Sequence, residues 1–241
     1  MENPFISICI PIWGAKGEGL DYLETNLASI SIQSFTDFEV IISDHSIDDT
    51  LEKCVNEWKS KLNIKYFRCS EGRGLISPNV NNAMRNATGK YIKLLYQDDF
   101  FINEHSLQTI VDYLIDEDND SVNWLVTGCA ATYNLVEYHK EVIPMYHLNI
   151  HLGQNTIGCP SVLTIKNSPD KIYLDETLKF LDDVEYYKRL YDKYGAPDIL
   201  PSICVGIREG GVSATSLLND EIKQKEVKLI FDKYGAINRS W

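Results

Sequence analysis

Apolar residues in the first hundred positions recur in two alternating rhythms. Phe5-Ile6-Ser7-Ile8-Cys9-Ile10-Pro11-Ile12 is short, β-branched and nearly continuous in apolarity, the pattern of a strand covered on both faces. Leu20, Leu23, Leu27 and Ile30 then return at helical spacing. The cycle repeats with a strand over 38–43 ending at Asp44, and a helix over 49–62 opened by Asp48-Asp49-Thr50. A strand over Ile64–Arg68 and a helix over 79–87, closed near Gly89, come next. A strand over 91–96 then runs straight into Gln97-Asp98-Asp99. Such alternation predicts right-handed crossovers and a mostly parallel sheet of the α/β class.

The rhythm changes after a helix over 104–117. Residues 123–143 read as two strands forming a hairpin, and 145–160 as a loop rich in His, Asn and Gly. A strand over 161–166, a helix over 179–194, a strand over 199–207 and an amphipathic stretch over 216–234 complete the chain. No Pro/Ser-rich linker and no repeat interrupts it. One domain over 1–241 is expected, with halves at about 1–100 and 101–215 and a helical tail over 216–241.

Composition narrows the function. At 44% hydrophobic and 24% charged residues the chain is ordinary globular protein, which excludes disorder and coiled coil. Lys plus Arg number 23 against 35 Asp plus Glu, a net charge of −12. That surface repels phosphate backbones, so nucleic acid is not an expected partner. A phosphorylated ligand would need a metal ion or a few well-placed cations. There is no apolar run of the roughly 18–20 residues that a membrane helix requires. Met1-Glu2-Asn3-Pro4 is acidic and has no secretory pattern. Cys9, Cys54, Cys69, Cys129, Cys159 and Cys204 are scattered without a paired motif and read as reduced thiols. The expected setting is the cytoplasm, with at most peripheral contact at the inner face of a membrane.

In open parallel sheets, ligands bind beyond the carboxyl ends of the strands. Pro11, Asp44 and Asp98-Asp99 fall on three such ends. A single Asp there is usually a helix cap. Two adjacent carboxylates repel one another unless solvated, capped or neutralised by a cation. A divalent metal carrying a diphosphate would neutralise them and would let an acidic protein hold an anionic ligand. Gly14-Ala15-Lys16-Gly17-Glu18-Gly19 fits no phosphate-loop pattern and reads as a flexible loop.

The motifs together resemble family-2 glycosyltransferases of the GT-A (Rossmann-like) fold, across about residues 5–215. The resemblance is carried by the opening strand with Pro11 and by Phe38-Glu39-Val40-Ile41-Ile42-Ser43-Asp44 followed by Ser46-Ile47-Asp48-Asp49-Thr50. It continues in Ala87-Thr88-Gly89-Lys90-Tyr91-Ile92 with Gln97-Asp98-Asp99. It implies that Asp44 accepts a hydrogen bond from the nucleobase, that Pro11 lies beside the base, and that Asp98 faces the ribose or diphosphate. Asp99 would bind Mn²⁺ or Mg²⁺. Asn81 would donate toward the nucleotide-sugar, Arg73 would meet base or phosphate, and Arg208 the diphosphate. Leu181-Asp182-Asp183-Val184-Glu185 resembles the family's catalytic segment and makes Asp183 the general base of an inverting transfer, although three acids in a first helical turn also suit the helix dipole.

By this resemblance the first half binds the nucleotide and the second the acceptor, with 145–160 a mobile acceptor-side loop. The donor is a nucleoside-diphosphate sugar, UDP-sugars first. The acceptor is a hydroxyl of a saccharide or lipid-linked saccharide. Two readings stand beside it: a non-catalytic sugar-nucleotide-binding module of the same fold, and a sugar nucleotidyltransferase.

Overall fold

The computed structural model describes residues 3–14, 19–116, 121–210 and 218–236. The first half alternates β1 (Ile6–Ile12), α1 (Gly19–Ser31), β2 (Phe38–Asp44), α2 (Thr50–Trp58), β3 (Ile64–Arg68), α3 (Ile76–Asn86) and β4 (Tyr91–Leu94). The second half holds β5 (Phe100–Phe101), α4 (Ser106–Ile115), β6 (Trp124–Thr132), β7 (Tyr138–Val142), β8 (Leu163–Lys166), α5 (Asp182–Tyr194), β9 (Asp198–Arg208) and α6 (Asp220–Tyr234). Short 3-10 turns occur at Ile150–Leu152 and Pro160–Val162.

All nine strands join one sheet in the order β3-β2-β1-β4-β8-β6-β9-β5, with β7 paired to β6. Parallel pairing holds through the first four strands, as the strand–helix rhythm predicts. The second half is mixed: β8 is antiparallel to both neighbours, β6 and β9 run parallel, and β5 and β7 are antiparallel. The α/β class therefore holds, with all-parallel pairing in the first half and mixed pairing in the second. Ile6, Ile8 and Ile10 of β1 and Val40, Ile41 and Ile42 of β2 are fully buried, because helices cover both faces of a parallel sheet. No helix among the described residues is long and apolar enough to cross a membrane.

Three departures from the pattern reading shape the site. The two-residue strand β5 follows directly on Asp98-Asp99 and pairs Phe100 with Gly206 of β9. A Cβ at Gly206 would run into the buried Phe100 ring, so glycine lets β9 approach this closely. Next, α5 starts at Asp182 rather than at 179. Lastly, the 145–160 segment is packed: Ile150, His151 and Ile157 are fully buried, and His151 Nε2 lies 2.8 Å from the Gly235 carbonyl oxygen. A segment anchored on three buried side chains corrects the expectation of a free loop.

Candidate active site

The carboxyl ends of β2, β1 and β4 lie side by side, and Ile12 pairs with Asp44 in register. Strands stand roughly 4.8 Å apart, so Asp44 and the acids after β4 are separated by about 10 Å across the sheet. Asp44 is fully buried. Its Oδ1 accepts from the Ser46 backbone N–H at 2.6 Å, and its Oδ2 accepts from the Tyr66 hydroxyl at 2.6 Å. Burial, followed by this bond, pushes the Tyr66 hydroxyl far up, which keeps it a donor. Pro11 is half-buried on β1 beside Ser43. Asn79 donates to the Ile12 carbonyl at 2.9 Å and binds α3 to the same strand end.

Asp98 and Asp99 follow β4 in different surroundings. Asp98 is exposed, yet protein crowds it closely enough to push its carboxyl up, countered in part by Arg208. Asp99 is 4% exposed, and its Oδ2 accepts from the Ser161 hydroxyl and, at 3.4 Å, from the Cys159 thiol. Burial first and Asp98 second raise its carboxyl well above the usual range. Lys93 lies fully buried behind the pair and donates to the Ser161 carbonyl, and burial lowers its ammonium to about 8. Gln97 ties the neighbouring loop: its Oε1 accepts from Trp13 N at 2.7 Å, and its Nε2 donates to the Gly19 carbonyl at 2.5 Å.

The start of α5 faces the same crevice. Asp182 Oδ2 accepts from the Ser77 hydroxyl at 2.8 Å. Asp183 Oδ2 accepts from Asn155 Nδ2 at 2.8 Å, and its Oδ1 from the Val184 amide at 2.7 Å. Burial, then repulsion from Asp182, raises the Asp183 carboxyl to about 7. The Tyr96 hydroxyl is pushed far up by burial and then by Asp182, Asp183, Cys159 and Asp99 together. The 155–161 segment joins the two groups of acids: Asn155 donates to Asp183, Cys159 and Ser161 donate to Asp99, and Ser161 Oγ accepts from Tyr96 N at 2.8 Å. Tyr187, whose hydroxyl donates to the Gly158 carbonyl at 3.1 Å, senses Asp183 and Cys159 in the same way.

Arg208 reaches this crevice because β9 pairs with β5. Its Nη2 donates to Thr25 Oγ1 at 3.0 Å and its guanidinium lies 4.7 Å from the Tyr22 ring centre, while its charge acts on Asp98. Arg73 is exposed and close enough to His45 to disfavour a charge there. Asn81 does not join the crevice. Its Nδ2 donates to the Leu174 carbonyl and to Glu176 at 2.9 and 2.8 Å, and its Oδ1 accepts from Leu174 N. With its amide saturated by the 174–176 segment it has no donor left for a nucleotide, which corrects the role that the resemblance assigns it. Residues 15–18 of the glycine-rich loop, and Gly211, Val212 and Ser213, lie outside the described residues.

Among the described residues, no three His, Cys, Asp or Glu side chains cluster as a self-sufficient metal site. The Asp98-Asp99 pair still fits Mg²⁺ or Mn²⁺. Such hard ions are commonly held by one or two carboxylates plus substrate phosphates and water. The pair supplies hard oxygen donors, one buried at Asp99 and one open to solvent at Asp98.

The family model for glycosyl transferase family 2 matches residues 7–166. The chain belongs to that family. Poly(ribitol-phosphate) beta-N-acetylglucosaminyltransferase TarS of Staphylococcus aureus is 23% identical over 188 residues, 77% of this chain and 32% of TarS. GalNAc(5)-diNAcBac-PP-undecaprenol beta-1,3-glucosyltransferase of Campylobacter jejuni is 33% identical over 97 residues, 40% of this chain and 30% of that protein. The chain thus spans about a third of the length of these relatives. In structure it superposes on S. aureus TarS in complex with UDP-GlcNAc with a TM-score of 0.72, at 19% identity, over 95% of this chain and 66% of that one. The mannosyltransferase PcManGT of Pyrobaculum calidifontis, in complex with GDP-Man and Mn²⁺, gives 0.66 at 16% identity, over 100% of this chain and 67% of that one. These likenesses carry the GT-A fold. Asp183 and Arg208 lie beyond the matched family span.

Proposed function

We propose that the chain transfers a sugar, with inversion, from a nucleoside-diphosphate sugar to a hydroxyl of a saccharide, polyol-phosphate or lipid-linked acceptor. UDP-sugars are the first donors to test, since TarS is known with UDP-GlcNAc. The observation that carries the proposal is the 155–161 segment, whose Asn155 donates to Asp183 while its Cys159 and Ser161 donate to Asp99. A donor anchored at the strand ends and an acceptor hydroxyl at α5 then meet within one crevice.

On this reading, Asp44 and Pro11 hold the base, with Tyr66 and the Ser46 amide fixing the Asp44 rotamer. Asp98 and Arg208 face the ribose and diphosphate, and Arg73 lies at the outer rim. Asp98 and Asp99 would hold Mn²⁺ or Mg²⁺, which when bound offsets the charge that develops on the leaving diphosphate. Asp183 takes the acceptor proton as its oxygen attacks the anomeric carbon from the side opposite the leaving group. A carboxyl raised to about 7 suits this work, because a base performs best with a pKa near the operating pH. Asn155 holds one of its oxygens in place.

Release of nucleoside diphosphate from a panel of nucleotide sugars, with Mn²⁺ and without acceptor, tests the reading. Slow release from one donor class is expected. Formation of pyrophosphate from a nucleoside triphosphate and a sugar phosphate instead would move the chain to the nucleotidyltransferases. Asp44→Ala should weaken nucleoside diphosphate binding by roughly 1–3 kcal/mol, the size of a lost charge-assisted hydrogen bond. It should also lower the melting temperature, since Ser46 N and the Tyr66 hydroxyl lose their acceptor. Unchanged affinity by calorimetry would leave Asp44 as a turn residue only.

A further inference from the structure

Helix α5 has no cap of its own. Leu181 occupies the cap position, where no side chain accepts a hydrogen bond. The amides before the helix are taken instead by Glu226 of α6. Its Oε1 accepts from Lys179 N at 2.8 Å, and its Oε2 from Phe180 N at 2.9 Å and Leu181 N at 3.2 Å. Glu226 is only 7% exposed, and a carboxylate so buried is tolerated because its oxygens are hydrogen-bonded.

The same helix grips α5 one turn further on. Lys233 Nζ and the Tyr234 hydroxyl reach Glu185 Oε1 at 3.0 and 2.6 Å, and Glu185 is fully buried. At its end, the Gly235 carbonyl meets His151 of the 3-10 turn, in the segment whose Asn155 binds Asp183. Both segments that converge on Asp183 are therefore held by α6.

We propose that α6 is a positioning element for Asp183, with Glu226 the residue that sets where α5 begins. The proposal rests on the reading of Asp183 as the base. Phe180, Val184, Tyr187 and Tyr191 recur at helical spacing, a pattern that begins two positions before the observed start. Glu226 holds the amides of Lys179, Phe180 and Leu181 out of the helix. Without it, α5 is free to grow toward its N-terminus, and the Asp183 carboxylate leaves its place facing the crevice.

The test compares Glu226→Ala and Glu226→Gln with the unaltered full chain. Glu226→Ala should raise amide hydrogen exchange at 179–181, whose N–H groups lose their acceptor, and leave β1 and β4 unchanged. It should lower kcat for sugar transfer tenfold or more, since a displacement of about 1 Å at a reacting group can cost roughly 10²-fold. Nucleoside diphosphate affinity should stay at the wild-type value. Glu226→Gln keeps one carbonyl oxygen toward the amides and should recover part of both losses. Unchanged exchange at 179–181 overturns the proposal. So does altered exchange with unchanged transfer, or transfer and diphosphate affinity falling together. Should Glu226→Ala not fold, Glu226→Gln and Tyr234→Phe carry the same three comparisons, with smaller losses in exchange protection and kcat expected. Transfer by Asp183→Asn decides the base reading separately: exchange that shifts as expected while Asp183→Asn stays active would condemn that reading and not the role of Glu226 at the helix start.

Discussion

Asp183→Asn is expected to lower sugar transfer by roughly 10²–10⁴-fold, the range that a positioned general base contributes. Asn keeps the size of the side chain and an acceptor toward Asn155, but it does not take a proton. Nucleoside diphosphate binding should be unchanged if, as proposed, Asp183 serves the acceptor. In the wild type, transfer should rise with pH and level off above about 7, and the residual activity of the variant should lack that limb. Stability moves the opposite way. Burial raises the folded carboxyl from 3.8 to about 7, so its contribution to stability is complete below about 3.8 and is lost as pH rises through about 7. The uncharged variant should therefore melt no lower than wild type at pH 8. Asp182→Asn and Glu185→Gln test the register. Full transfer by Asp183→Asn would place the base elsewhere and leave Asp183 a helix-start acid.

Asp99→Asn should remove the dependence of donor binding on a divalent ion. For the wild type, adding a chelator should weaken nucleoside diphosphate binding by roughly 10–100-fold, about 1.4–2.8 kcal/mol. Without the ion, two crowded carboxylates face a diphosphate. The variant should bind about as weakly with Mn²⁺ as the chelated wild type does. It should keep its fold, since an Asn oxygen still accepts from Ser161 and removal of a buried charge relieves Asp98. Equal wild-type affinity with Mn²⁺ and with chelator, measured by calorimetry, would refute the metal role.

The first half of the fold was legible because its strands are buried on both faces and so read as unbroken apolar runs. Asp44 and Asp98-Asp99 were legible for a related reason: in a parallel sheet, a polar residue ending such a run falls on the ligand edge. What the sequence hid lies in pairings between distant segments. Nothing around Tyr66 distinguishes its hydroxyl from that of any strand tyrosine, yet it fixes Asp44. Gln97 ties the Trp13 and Gly19 backbones together, which no spacing rule reveals. Asn81 matched a family position, but its amide goes to a segment more than 90 residues away. The run Leu181–Glu185 marked the first turn of α5, but side-chain spacing is blind to a carboxylate of another helix that captures the backbone amides just before it.

The contacts that build the crevice join remote parts of the chain. Ser161 and Asp99 are 62 residues apart, Ser77 and Asp182 are 105 apart, and Arg208 and Thr25 are 183 apart. Contacts of such separation carry a large loop-closure cost and form late. A folding intermediate that holds the four parallel strands alone would have the Asp44 end of the crevice and none of the rest. Donor binding would thus act as a seal on the finished molecule, drawing the equilibrium toward the complete chain and giving partly folded forms nothing.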